Sequence, residues 1–481
     1  MSTYEIFRLS PRRLYGTAAV IALLASAGTA RADATPECNT GAGMNSAECG
    51  VNTTADGDFS VAIGDQSVTD TTAVDGVAIG SEASVTGPST TAVGGETVAT
   101  GPGASAIGWQ SMATAERAQA FGHLATAQGV RSLAVGENAD AQSDLSTAIG
   151  NESIANGTDA LAVGDTAAAN GPSTTAMGGE SVATGPGASA IGWQSMATAE
   201  RAQAFGHLAT AQGVRSLAVG ENADAQSDLS TAIGNESIAN GTDALALGDT
   251  AMANGTSTTA IGGESVAMGP GATALGWQSA ATAERAQAFG HLAQATGVRS
   301  TAVGEAAAAA GARSIAVGDQ ASATGDNSVA IGAGAEATGD NQFVLGNTSN
   351  TYRAAGIASE ASLAAQSGAV GVVTSDAQGN LAVDRSLGTA MGSLSNSIRS
   401  NSRQIEDNKE GIAMAMALDA PYVPEDRTFA VSAGLGSFEG SQAIAASMGY
   451  RFNANTQFDA GITYGMDRDQ IGGRIGVTYA W

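Results

Sequence analysis

Aromatic residues make up only 4% of this 481-residue chain, cysteine occurs twice and histidine three times. So few aromatics argue against a large globular core. Lys and Arg total 20 against 46 Asp and Glu, a formal net charge of −26. Without a basic stripe to neutralise phosphates, nucleic acid is excluded as a partner. The apolar run Ala18 to Ala27 is too short to span a bilayer. It follows Arg8, Arg12 and Arg13 and precedes the small-residue site Ala30-Arg31-Ala32, which predicts a cleaved signal peptide at 1–32 and an exported chain. Cys38 and Cys49 lie just beyond that site, either as a small disulfide loop or as two free thiols. No other soft ligand lies near them, which argues against a metal. No Ser/His/Asp order, paired-carboxylate cleft or phosphate loop emerges beyond what 65 glycines scatter by chance, so no enzyme is expected.

What is present is a beat of fourteen. An apolar residue followed by Gly falls at Ile79, Val93, Ile107, Phe121, Val135, Ile149 and so on to Leu345, twenty positions at one unbroken spacing. Ala precedes the apolar residue in every copy but the last, which has Val344. An irregular earlier copy, Val61 to Gly64, stands sixteen residues before Ile79. Fourteen fits neither a helix nor one strand, and signals a repeat architecture. Each repeat predicts a short strand such as Thr147 to Gly150, then a polar stretch with a Gly midway (Gly87, Gly101, Gly129, Gly157). A tight turn there would draw on glycine's tolerance of positive φ. Alternation along the strand sends Ala148 and Ile149 to opposite faces. The expectation is that the large residue fills the coil and that a neighbouring subunit covers the crowded Ala face. Twenty coils at about 4.8 Å make a rod roughly 95 Å long.

Longer copies overlie the beat. Val98 to Ala162 is identical to Val182 to Ala246, an offset of 84 residues or six repeats, and a looser third block carries Trp277 and Phe289 to Leu292. A rod tolerates such duplication because each repeat touches only its neighbours. His123, His207 and His291 recur once per block, about 29 Å apart along the rod. They cannot share a metal within one subunit; surface or turn positions fit them better than a shared site on a three-fold axis. Trp109, Trp193 and Trp277 recur in Gly-Trp-Gln-Ser, either as exposed ligand-binding anchors or as packed turns. Glu116-Arg117 and its copies read as solvated local ion pairs.

Beyond Gly346 the pattern changes twice. Met391, Leu394, Ile398, Asn401, Ile405, Asn408 and Ile412 follow at steps of three and four, a heptad seam with Asn401 and Asn408 at position d. After Pro421 and Pro424, four segments alternate every second residue: Thr428 to Phe438, Gln442 to Phe452, Thr456 to Tyr464 and Gly472 to Trp481. Such segments are the signature of outer-membrane strands. Four strands cannot close a barrel, whereas three chains of four make twelve. The Ala face, the heptads and the deficient barrel all ask for a trimer.

The order of these parts resembles the trimeric autotransporter adhesins, the YadA-like class of type Vc secretion. Ser60 to Ser67 and Asn327 to Gly332 match most of that family's head motif NSVAIGxxS, with Phe59 in place of the leading Asn in the first and Ala335 in place of the closing Ser in the second. Asn341 to Gly346 and Thr351 to Gly356 resemble its neck. Gly411 to Leu418 resembles the approach to its membrane anchor, and the terminal Trp481 suits recognition by the barrel-assembly machinery. The resemblance implies a mostly β protein: a left-handed parallel β-roll head, a short neck, a trimeric coiled-coil stalk and a twelve-stranded trimeric outer-membrane barrel that exports the passengers. In that family Ile-x-x-Asn layers hold an anion on the three-fold axis. Ile398 to Asn401 and Ile405 to Asn408 match that pattern, so the implied ligand is a structural chloride at Asn401 and Asn408, with no other cofactor.

The expected organisation is signal peptide 1–32, lead segment 33–58, head 59–346, neck 347–384, stalk 385–412 and anchor 413–481. The expected function is non-enzymatic adhesion to host matrix proteins, cells or surfaces, by a homotrimer anchored in the outer membrane with head and stalk on the cell surface. The alternative is a structural or protective coat fibre without a specific ligand.

Overall fold

The computed structural model describes residues 37–368 and 371–481, in two compact units divided after Thr351. The expected signal peptide lies outside the described residues.

The first unit opens with an antiparallel pair, Cys38–Asn39 against Ala47–Cys49, closed by a Cys38–Cys49 disulfide. Of the two alternatives for these cysteines, the bond is the one formed. From Ala47–Cys49 onward each coil adds a three-residue strand to one parallel ladder and a two-residue strand to another. The first ladder ends at Phe343–Leu345; the second runs from Thr54–Ala55 to Glu336–Ala337. Register is strict: Ser105, Ala106 and Ile107 lie opposite Gln119, Ala120 and Phe121, fourteen residues on. The one longer step, Val61 to Val77, puts its two extra residues in a loop where Asp70 Oδ1 accepts from the Thr72 N–H at 2.8 Å.

The interior corrects the expected direction of packing. Ala148 and Ala155 are fully buried, one from each ladder, while Ile149 points outward at 37% exposure. The same division holds along the head: Ala inside, the large apolar residue outside. Ladders of three and two residues face each other across an interior that admits little beyond Ala, Ser and Thr. Buried hydroxyls fold back onto their own turn, as where Ser153 donates to the Gly150 carbonyl at 3.0 Å. The apolar stripe left exposed on the head is therefore the Ile/Val column, and the Ala face is covered by the chain's own coil rather than by a neighbouring subunit.

The turns correct a second expectation. Gly87 has the positive φ (91°) expected of a turn glycine, but Gly101, Gly129 and Gly157 do not. A Cβ on Gly129 would lie 1.8 Å from the Ser143 carbonyl oxygen of the next coil. That glycine is required by close approach of backbones. Positive φ is carried instead by residues such as Arg131 (60°) and Leu145 (59°).

The second unit holds a short helix Glu360–Ala364, a hairpin Val372–Ser375 with Leu381–Asp384, and a 33-residue helix Arg385–Ala417. Asp376 pins the hairpin turn by accepting from the Gln378 and Asn380 amides, and its carboxyl is held low by Asn380. Asp384 caps the long helix through the Ser386 and Leu387 N–H groups. The helix runs unbroken through residue 412, where the stalk was expected to end. Four antiparallel strands follow in sequence order, Phe429–Phe438, Ser441–Asn453, Thr456–Gly465 and Ile471–Tyr479.

Candidate functional site

Strict register turns each position of the repeat into a column of side chains up the head. Just after the Ala-apolar-Gly strand the column reads Gly95, Trp109, His123, Glu137, Asn151, Asp165. Trp109 stacks on His123 with ring centroids 4.9 Å apart and planes 21° apart. His123 Nδ1 lies 3.3 Å from Glu137 Oε1 on the following coil. The tier recurs as Trp193–His207–Glu221 (4.9 Å and 3.2 Å) and as Trp277–His291–Glu305 (5.0 Å and 3.4 Å). On the other side the indole lies against Gly95, whose Cβ, if present, would stand 3.2 Å from Trp109 Cδ1. Both ring faces are thus covered, and Trp109 offers solvent an edge at 48% exposure. The structure brings together the Trp and His that the sequence reading singled out separately. It adds the glutamate, which that reading missed although 109, 123 and 137 keep the same spacing of fourteen.

Charge is divided between the two turns of the coil. Arg117, Arg131, Arg201, Arg215, Arg285, Arg299 and Arg313 all sit at the positive-φ position of the opposite turn, and the Trp–His–Glu turn carries no Lys or Arg. Arg117 lies 3.9 Å from its neighbour Glu116 with both side chains exposed, a pairing of little energetic weight. On the two-residue ladder, burial pushes the Asp140 and Asp224 carboxyls up against the lowering effect of hydrogen bonds from Gln142 and Gln226. Their Oδ1 atoms have no hydrogen-bond partner. Among the described residues no three His, Cys, Asp or Glu side chains gather to hold a metal.

The long helix has two faces. Glu410, Ala413, Met414 and Ala417 are buried against the chain's own sheet, while Met391, Leu394, Ile398, Ile405 and Ile412 form an exposed stripe. Asn401 and Asn408 are exposed on that stripe.

The sheet is small on one face and large on the other. A Cβ on Gly434 would meet the Ala417 carbonyl oxygen at 1.9 Å, and one on Gly436 the Ala413 carbonyl oxygen at 2.0 Å. Ala443, Ala445 and Ser447 continue this helix-facing side. Val431, Leu435, Ile444, Ile462 and Ile475 project exposed from the other. Among the described residues no helix is long and apolar enough to cross a membrane, but this sheet has the inside-out polarity of a barrel wall. Its first and last strands are open edges, which lipid does not tolerate, so the wall must be completed by further copies.

A solenoid head followed in sequence by a helix with an apolar seam and a lipid-facing partial barrel defines an oligomeric surface protein anchored in an outer membrane. The profile of the YadA head domain repeat matches sixteen stretches between residues 50 and 341, most of them overlapping, and that of the YadA-like membrane anchor domain matches 421–481. No curated protein matches the chain. The chain belongs to the YadA-like family of trimeric autotransporter adhesins. It is a homotrimer with its C-terminal barrel in the outer membrane and its head on the cell surface.

Proposed function

We propose that the head attaches the cell to host matrix, host cells or surfaces through many equivalent weak contacts, without catalysis. The observation that carries this is the threefold recurrence of one exposed tier, Trp–His–Glu, at intervals of six coils on one edge of the head. Three tiers per chain and three chains per fibre multiply a modest affinity through effective concentration. Each tier presents an indole edge and a carboxylate on a stacked, preorganised column. Asn401 and Asn408 from three chains hold a chloride in the stalk core and set its register.

The test compares cells displaying the full chain with cells displaying a chain lacking Phe59 to Gly346, at equal surface density. Attachment to collagen, fibronectin, laminin and plain plastic is counted. Loss on any of these with the head removed supports the adhesive reading. Equal attachment on all four favours the protective coat.

A further inference from the structure

Glu410 is fully buried (0% exposed) on the long helix, inside a membrane anchor, where an ionised side chain is costly without partners. Its Oε1 accepts from the backbone N–H of Asp467 at 2.8 Å and of Arg468 at 2.7 Å, in the turn between the third and fourth anchor strands. Gly465 clears the space: a Cβ there would meet Glu410 Oε1 at 2.3 Å, and its φ is not positive, so the glycine is there for room. Arg468 Nη1 then donates to Asp407 Oδ1 at 2.7 Å and to the Arg403 carbonyl at 3.2 Å. Across the helix, Lys409 Nζ lies 3.4 Å from Glu439 Oε2 in the turn between the first two strands. Both turns lie at the same end of the sheet, the end from which the helix continues N-terminally toward the exposed head, and so they form the outer rim.

The helix is held at both ends: below it, Gln457 accepts from the Val423 N–H and donates to the Pro421 carbonyl, and Arg451 donates to the Val423 carbonyl. Between the ends, Gly434, Gly436, Ala443 and Ala445 offer a small-residue stripe, along which the outer part of the helix can move toward a shift of one turn, about 5.4 Å, once the rim seat lets go. That shift would take the Glu410 carboxyl from its two amides, leave the Asp467 and Arg468 N–H groups without that acceptor and part Arg468 from Asp407. From this geometry we infer that Glu410 is a positioning residue whose seat in the 465–468 turn fixes the depth of the helix in the pore, and so the end point of export. The seat forms only when the last exported residues have cleared the rim. Arg468 braces it from outside.

The test uses the full chain in intact cells. Cys38 and Cys49 are joined, so one introduced cysteine supplies the only free thiol. Ser402→Cys reports a position outside the rim and Ala415→Cys one within the pore, each read as the rate of labelling by a membrane-impermeant maleimide. With Glu410 in place, Ser402→Cys labels and Ala415→Cys is protected. Adding Glu410→Ala or Gly465→Ala raises labelling at Ala415→Cys by about tenfold, the scale of losing a charge-assisted hydrogen bond, with barrel insertion unchanged. Glu410→Gln, which keeps an acceptor oxygen, falls between. Gly465→Ala leaves the carboxylate intact and fills only its seat, so it decides the matter should Glu410→Ala fail to insert. An unchanged labelling boundary in the inserted variants overturns the inference.

Discussion

At the scale of single residues the head is governed by how closely successive coils approach. Gly129→Ala drives a Cβ to 1.8 Å from a backbone oxygen of the next coil, and we expect a loss of at least about 4 kcal/mol. Leu145, at a φ of 59°, bears the opposite strain: Leu145→Asn should raise stability by up to about 1 kcal/mol. Chemical unfolding of the purified head trimer checks both. Asp140 and Asp224 give the pH dependence. Burial raises each carboxyl above its unfolded value, so the folded head binds those protons more readily. Stability therefore rises as pH falls through the folded values and is fully regained only below the unfolded value near 3.9. Asp140→Asn with Asp224→Asn should raise the neutral-pH unfolding midpoint by on the order of 2 °C and flatten its rise toward acid. The repeat itself was legible at this scale, while the direction of its side chains was not. Size suggested Ile149 for the interior. Constancy was the better guide: the confined position stays Ala, whereas the outward one wanders among Ile, Val, Phe, Met and Leu.

At the scale of elements, side chains fourteen residues apart act as neighbours. Trp109, His123 and Glu137 read in sequence as three unrelated residues, and only parallel register makes them one column. Replacing Trp109, Trp193 and Trp277 together by Ala exposes three imidazoles and removes the indole edges. If the tiers are the contact, attachment falls by about tenfold or more, as for loss of aromatic anchors, while trimer and surface density hold. The long helix was visible as a heptad seam, but its continuation to Ala417 was not. Beyond residue 412 its partner changes from other helices to a sheet lined with glycine and alanine, and the heptad no longer applies. On the seam, Ile398→Asp with Ile405→Asp should weaken the trimer, read as a fall in the cross-linked trimer fraction by about tenfold or more. Asn401→Val with Asn408→Val should make the stalk's unfolding midpoint higher and independent of replacing chloride by acetate at equal ionic strength.

At the scale of the whole molecule, the arithmetic of strands was legible because four lipid-facing strands leave edges that only further copies close. The rim seat of Glu410 was not legible, since a lone glutamate in a helix and a glycine 55 residues later share no sequence pattern. Anchoring and adhesion then fall to separate parts of one chain, the C-terminal barrel and the head, with the long helix between them in sequence. The head's blocks allow adhesion to be titrated. Removing residues 98–181 deletes one block of 84 and joins Thr97 to Val182 in unbroken register, because Val98 to Ala162 and Val182 to Ala246 are identical. One tier is lost and the coil geometry is kept. The most direct measurement is the attachment strength of cells displaying three, two and one blocks at equal density on whichever surface the full chain binds. Additive tiers predict a stepwise fall, steeper than proportional, with each block removed. Attachment that is unchanged down to a single block would contradict the account.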